Sequence, residues 1–435
     1  MNQTDLIIVG AGPGGYRAAL YAVKNGLKVV IAEKKHAGGT CLNEGCIPTK
    51  CFAHDADLFR NPLLSGVSVD FLKIQKRKQS VVEELRQGVE SLMRVPGITY
   101  IQGDARFLSS KVITINGEEY TAPNILIATG SYARKPPVEG IDSPYVLTST
   151  EMLDINYVPR RLCIIGAGVI GMEFASAFQT FGSEVTVIEY LKECLPPVDR
   201  DIAKRLRKSL EKRGVRFYLQ SAVKVIKDNC VVFDCKGREE KKEVDIVLVA
   251  TGRGANMNGL NLENAGVSCN RSGIVVDDNM ETNVRGVYAI GDVNGRIMLA
   301  HAAVFEGFCA VNHILGKTDH IRMDLVPSAI FTYPESASVG LTEDACKQQG
   351  IVYTSRKGYY RSNGKAMVME ETEGLLKLLV AEDGHILGCH VYGAHAADII
   401  QEVTALMNRD ITIEELKDII HIHPTLGEIL QDAVI

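Results

Sequence analysis

Asp5-Leu6-Ile7-Ile8-Val9-Gly10-Ala11-Gly12-Pro13-Gly14-Gly15 reads as a short buried strand turning through a G-x-G-x-x-G loop into a helix. A second strand, Val29-Val30-Ile31-Ala32-Glu33, closes the unit on an acid. The same order recurs at Leu162-Cys163-Ile164-Ile165, Gly166-Ala167-Gly168-Val169-Ile170-Gly171 and Val185-Thr186-Val187-Ile188-Glu189, with the Glu at the same distance beyond the last glycine. Glycines allow the tight turn and close helix–strand packing, and the helix N-terminus can face a pyrophosphate. The closing Glu can accept hydrogen bonds from ribose hydroxyls. One isolated loop is weak evidence, but two in full strand–helix–strand context imply two bound nucleotides.

Further echoes support a duplicated α/β architecture. Ile125 to Gly130 and Ile246 to Gly252 are both apolar strands ending in Ala-Thr-Gly, where glycine permits close backbone approach to a ligand. Gly286 to Asp292 is another short apolar strand, and its Asp falls at the end where open α/β sheets bind ligands. After Pro327 come two strand-like runs, Leu375–Val380 and Ile386–Val391, and then a helical pattern.

At 435 residues with a net charge of −5, the chain predicts several domains and lacks the basic balance of a nucleic-acid binder. The run Lys73 to Lys78 continues into Val81, Val82, Leu85, Val89 and Leu92 and reads as an amphipathic helix. No apolar run is long enough to span a bilayer, and a strand begins with no charged leader before it. Eleven scattered cysteines do not form a secreted disulfide framework, so a reducing cytoplasm is expected.

Against that background stands Gly38-Gly39-Thr40-Cys41-Leu42-Asn43-Glu44-Gly45-Cys46-Ile47-Pro48-Thr49-Lys50. Two cysteines this close, just after a dinucleotide unit, suggest a disulfide that exchanges electrons with a bound nucleotide cofactor. Cysteine pairs also bind zinc or remain inert buried thiols. Zinc would need two further ligands that no nearby His/Cys cluster supplies. His421 and His423 form an H-x-H pair, a weak metal signal alone, and no metal is expected. Cys51, Cys163, Cys194, Cys230, Cys235, Cys269, Cys309, Cys346 and Cys389 read as buried small apolar residues.

With these motifs assembled, the chain resembles the two-cysteine flavin disulfide reductases of the class I pyridine nucleotide-disulfide oxidoreductases, and among them the dihydrolipoamide dehydrogenase family. The resemblance runs nearly end to end and includes Met298-Leu299-Ala300-His301, Phe331 to Glu335 and His421 to Glu428. It implies an α/β fold of two Rossmann-like FAD/NAD(P)-binding domains and a C-terminal α+β dimerisation domain. The expected boundaries are 1–146 for FAD, 147–256 for NAD, 257–325 for a central segment completing the FAD domain, and 326–435 for the interface. FAD would lie along Gly10, Gly12 and Gly15 with Glu33 on its ribose. Thr40, Lys50, Ala105, Thr129, Gly130, Ser131, Asp292 and Met298 to His301 would line it. The pyridine nucleotide would use Gly166, Gly168, Gly171, Glu189, Val223 and Gly252, and Glu173 matches the acid that pairs with the flavin-side Lys50. An acid at the strand end repels a 2′-phosphate, and Tyr190, Leu191, Lys192 and Glu193 make a poor phosphate clamp, so NAD is favoured.

The resemblance also implies a catalytic order. A substrate dithiol attacks Cys41, Cys46 passes the electron pair to the flavin, and NAD receives hydride. The thiolate is the effective nucleophile. His423 would accept the substrate's protons, with Glu428 orienting its ring. The family is homodimeric, each subunit's His serving the other's disulfide, and the His423–Pro424 bond is expected to be cis. A lipoylated carrier domain or H-protein of a multienzyme complex is the implied partner, with no nucleic acid or membrane. Glutathione-type enzymes would place arginines after Glu189, and mercuric ones a C-terminal cysteine pair; neither is present. A soluble transhydrogenase would lack the complete pair, and a non-catalytic binding subunit would not need Cys41, Cys46, His423 and Glu428. Glu44 and Ala302 depart from the family's usual residues, and the segments after Lys50 and Glu428 are expected to be short.

Overall fold

The computed structural model describes residues 2–61, 66 and 68–435, which divide into two compact units. The first comprises Met1–Cys51, Leu72–Arg134 and Gly252–Met323. At its centre is a parallel five-stranded sheet in the order Val287–Ala289, Asn124–Ile127, Leu6–Val9, Val29–Glu33 and Ile98–Gln102. Leu6, Ile7, Ile8, Ile31, Ile125, Leu126 and Ile127 are fully buried, as expected of strands covered on both faces. Helix Pro13–Lys24 packs on helix Ala300–Ile314 through small residues. A Cβ added to Gly14 would meet the Ala303 carbonyl oxygen at 3.0 Å, so the two backbones approach closely there. A separate four-stranded sheet pairs Asn2–Gln3, Glu118–Thr121, Val112–Ile115 and Ala105–Ser109.

The second unit comprises Phe52–Phe71, Lys135–Thr251 and Asp324–Ile435. Its parallel sheet runs Val146–Thr148, Ile246–Val249, Arg161–Ile165, Glu184–Ile188 and Arg216–Tyr218. Three antiparallel strands follow, Ser221–Lys227, Cys230–Cys235 and Arg238–Glu243. The C-terminal part carries a five-stranded antiparallel sheet in the order Ser328–Ile330, Ser336–Gly340, Ile386–Tyr392, Leu375–Val380 and Thr354–Tyr359. Leu376, Leu378, Val391, Val403 and Leu430 fill the core between that sheet and helices Ala396–Met407 and Ile429–Val434.

The two Rossmann-like sheets and the C-terminal α+β part match the expected fold class. The amphipathic helix forms over Phe71–Leu92 with Ile74, Val82 and Val89 buried. Two of its expected core residues, Leu85 and Leu92, are exposed although Val82, Val89 and Met93 beside them are buried, so the apolar stripe is covered only in patches. Three cysteines also depart from the expected burial. Cys269 is exposed, and Cys235 and Cys309 are half-buried. Among the described residues, no helix is long and apolar enough to cross a membrane.

Candidate active site

The two glycine loops agree down to single hydrogen bonds. Gly10 and Gly166 have φ of +106° and +103°, and a Cβ on either would lie 2.3 or 2.5 Å from the carbonyl oxygen of Ala128 or Ala250. A Cβ on Gly15 or Gly171 would lie 1.9 or 2.1 Å from the oxygen of Gly10 or Gly166. These positions exclude any side chain. The middle glycines are different: a Cβ on Gly12 would come no closer than 4.0 Å to Gly39, and one on Gly168 would meet nothing within 4 Å. Each middle glycine is the N-cap of its helix, and no side chain caps either. The free N–H groups of the first turn therefore have an open approach suited to a phosphate.

Each closing acid reaches back to its own loop. Glu33 Oε2 accepts from Ala11 N–H at 2.8 Å and Oε1 from Lys35 N–H at 2.8 Å. Glu189 Oε2 accepts from Ala167 N–H at 2.6 Å and Oε1 from Leu191 N–H at 2.7 Å. A carboxylate offers about four acceptor positions, so both retain capacity for ribose hydroxyls. The glycine cradles, free N–H groups and acids thus fit two nucleotides.

The cysteine motif is built onto the first loop. Gly38, with φ +90°, donates its N–H to Ala11 O at 2.9 Å, and a Cβ on Gly39 would lie 2.7 Å from Gly12 Cα. Helix Gly39–Glu44 carries Thr40 and Cys41, and helix Cys46–Phe59 carries Cys46 and Lys50. Cys41 is half-buried and Cys46 exposed, and the two are not bridged by a disulfide. A hydrogen bond with Cys46 and then burial push the Cys41 thiol well above its ordinary range, while Lys50 acts the other way. Between the cysteines, Asn43 Nδ2 donates to Ala37 O at 3.0 Å and Gly39 O at 2.8 Å, and Oδ1 accepts from Arg86 Nε at 2.8 Å. Lys35 Nζ pairs with Glu44 at 3.1 Å.

Of the other residues expected to line FAD, Thr129, Gly130 and Asp292 follow the ends of strands. Ser131 Oγ donates to Asp292, and Arg253 donates to Ser131 Oγ at 2.7 Å and Ser131 O at 2.8 Å. Thr129 Oγ1 donates to Asn256 O at 2.7 Å, and Gly130 has φ +69° with open space where a Cβ would be. Ala105 begins a strand of the four-stranded sheet. Leu299 is the N-cap of the helix starting at Ala300, while Met298 and His301 are exposed.

In the second unit, Val223 lies on a strand of the three-stranded sheet, and Glu173 is buried with Oε1 accepting from Phe331 N–H at 2.9 Å. Gly252, assigned to the first unit, has φ +113° and no neighbour where a Cβ would be. His423 Nδ1 lies 2.8 Å from Glu428 Oε1. Thr425 N–H, at 2.7 Å, and then His423 hold the Glu428 carboxyl below the usual range. The histidine ring itself is 79% exposed, and Ile420 and Ile422 beside it are 94% and 78% exposed. His423–Pro424 is cis, as the resemblance implied, and so is Tyr333–Pro334. His421 is separately engaged, with Nε2 3.0 Å from Glu402 and Nδ1 3.1 Å from Ile419 O. Among the described residues, no three His, Cys, Asp or Glu side chains gather as metal ligands do.

Asn43, Arg86, Arg253 and Asn256 escaped the sequence reading. Asn43 had a usable signal, since it stands between the two cysteines. Arg86 had none, being one cation on the charged face of a long helix.

A dinucleotide loop supporting a vicinal thiol pair defines a flavin-dependent disulfide oxidoreductase. The chain belongs to the pyridine nucleotide-disulphide oxidoreductase family, whose main pattern covers residues 4–307 and whose dimerisation domain covers 326–434. It is 39% identical to a dihydrolipoyl dehydrogenase of Chlamydia muridarum over 455 aligned positions, covering 100% of this chain and 97% of that one. A Bacillus subtilis dihydrolipoyl dehydrogenase is 38% identical, with 99% and 98% covered. Among solved structures, the HOCl-induced flavoprotein disulfide reductase RclA from Escherichia coli superposes with a TM-score of 0.90 at 32% identity, covering 99% of both chains.

Proposed function

We propose that this enzyme is an NAD-dependent dihydrolipoamide dehydrogenase, oxidising protein-bound dihydrolipoamide to lipoamide and reducing NAD+ to NADH. The observation that carries the reading is the attachment of the Cys41–Cys46 turn to the first glycine loop by the 2.9 Å bond from Gly38 N–H to Ala11 O. That attachment sets the thiol pair beside the loop that would hold FAD along Gly10, Gly12, Gly15 and Glu33. FAD, when bound, would supply two-electron transfer between thiols and a nicotinamide.

The chain's own residues would divide the remaining work. Starting from the oxidised Cys41–Cys46 disulfide, a substrate thiolate attacks Cys41, so that the Cys41–Cys46 bond breaks, a mixed disulfide forms and Cys46 leaves as a thiolate toward the flavin side. The second substrate thiolate then displaces Cys41, closing the substrate disulfide. His423 takes the substrate thiol proton on Nε2, because Nδ1 faces Glu428. The Glu428 carboxylate orients the ring and stabilises its protonated form. Selection of NAD rests on Glu189 at the strand end. Arg207, on the helix that follows, is already engaged, bound to Glu193 at 2.6 and 3.0 Å and to Glu211 at 2.6 Å.

The dimerisation domain supports a homodimer in which each His423 serves the partner subunit's thiols, and exposed Ile420 and Ile422 beside it suit burial in such an interface. The proposed division is 1–146, 147–256, 257–325 and 326–435, for FAD, NAD, the central segment and the interface. The proposed setting is the cytoplasm, as the flavoprotein of a 2-oxo acid dehydrogenase or glycine cleavage complex, with a lipoylated carrier as partner.

The experiment compares purified yellow enzyme with dihydrolipoamide plus NAD and with oxidised glutathione plus NADPH. Turnover only with the first pair is expected. Turnover only with the second would overturn the lipoamide assignment, and no turnover with either would favour a non-catalytic subunit.

A further inference from the structure

Glu306 lies on helix Ala300–Ile314, is 1% exposed, and belongs to no motif noted above. Its Oε2 accepts from Gly291 N–H at 2.6 Å and from the amide of buried Asn294 at 3.0 Å. Those two donors stand at either end of the single turn Gly291–Asn294, and Asp292 is the second residue of that turn. Asp292 in turn receives the Ser131 hydroxyl and lies 4.0 Å from Arg253. The carboxylate is therefore clamped under the turn that presents Asp292 at the strand end.

Burying the acid carries a desolvation cost that its hydrogen bonds offset. Burial, countered first by the Gly291 N–H and then by Asn294, raises the Glu306 pKa to about 7, with Arg296 lowering it and Asp292 raising it. Cys309 on the same helix also feels its charge, while the glycine helix brings Gly14 and Ala18 against this stretch and sets Tyr21 on Phe308 and Asn312. An apolar residue would avoid that desolvation cost but leave the buried Gly291 N–H and Asn294 amide without an acceptor, so the work of the acid is to hold this turn.

We propose that Glu306 is a positioning residue for the flavin site, acting through the Gly291–Asn294 turn to fix Asp292 against FAD. This rests on the FAD assignment made above. Loss of one charge-assisted hydrogen-bond acceptor should weaken FAD binding roughly tenfold.

The test is a double-mutant cycle read as FAD affinity of the flavin-depleted full chain, followed by flavin fluorescence. Glu306→Leu should raise the FAD Kd about tenfold, and Glu306→Gln, which keeps an acceptor oxygen, by less than about threefold. On an Asp292→Asn background, which retains an acceptor and measurable binding, Glu306→Leu should add less than about threefold. Full additivity of the two substitutions would overturn the proposal, as would unchanged affinity in Glu306→Leu. If Glu306→Leu does not fold, Asn294→Ala replaces it in the cycle with the same expectations. Failure of the unsubstituted chain to bind FAD would instead refute the flavin reading itself.

Discussion

The backbone amide of Ala167 donates to Glu189 Oε2 across 2.6 Å, as Ala11 does to Glu33 at 2.8 Å. Each acid thus ties down its own glycine loop, and each is the proposed acceptor for a ribose hydroxyl. Glu189→Ala should remove both roles, raising the KM for NAD by roughly ten- to a hundredfold with a smaller change in kcat. Steady-state kinetics with NAD and NADP check this, and NADP should remain the poorer substrate of the unsubstituted enzyme. Better use of NADP by that enzyme would refute the charge argument.

Gly15→Ala places a Cβ 1.9 Å from Gly10 O, which is backbone and cannot swing aside. The loop must open, at about 1–3 kcal/mol by analogy with overpacked cores. The substituted protein should be purified largely free of flavin, with a lower melting temperature. Full flavin content, read from visible absorbance, would contradict the close-packed loop.

His423→Gln should retain flavin and lose about 10²–10⁴-fold in dithiol-dependent rate. Glu428→Gln should lose less, about tenfold, because the ring persists without its charged partner. The Glu428 carboxyl is held below its usual range by Thr425 N–H and then His423, so mild acidification to pH 5 leaves it ionised. A rate for His423→Gln near that of the parent would remove the histidine from the reaction.

His390 offers a test of stability against pH. The ring is fully buried, with Nε2 donating to Leu341 O at 2.9 Å and Nδ1 accepting from Ser338 at 3.1 Å. Burial lowers its pKa, opposed by Asp199 and Glu343 and aided by Lys377. The unfolded chain therefore takes up a proton below about pH 6.5 that the native chain does not. Stability should fall with pH there by up to about 1.4 kcal/mol per unit. Denaturant unfolding of His390→Gln should show a shallower loss between pH 6.5 and 5 than the parent. Equal slopes would exclude His390 as the source.

Legibility in the sequence followed the range of each constraint. The loops at Gly10 and Gly166 were readable because sterics and spacing act within a few residues, and the strands were readable from runs such as Leu6–Val9. Glu33 and Glu189 were found, but not their ties to Ala11 and Ala167, since carboxylate capacity does not reveal its donors. Leu85, Leu92 and Cys269 were misplaced because periodicity and residue type do not show where a neighbouring surface stops. Arg253 and Arg86 were invisible because each acts on a partner far along the chain, and Glu306 because one acid on a largely apolar helix does not show which turn it faces.

Asn43 is gripped on both sides, by Arg86 from helix Phe71–Leu92 and by its own amide on Ala37 and Gly39. The frame carrying the two sulfurs is therefore stiff, braced by a helix of 22 residues, about 33 Å long. On such a frame the making and breaking of a sulfur–sulfur bond is expected to be carried by side-chain torsions, with little rearrangement of the loop.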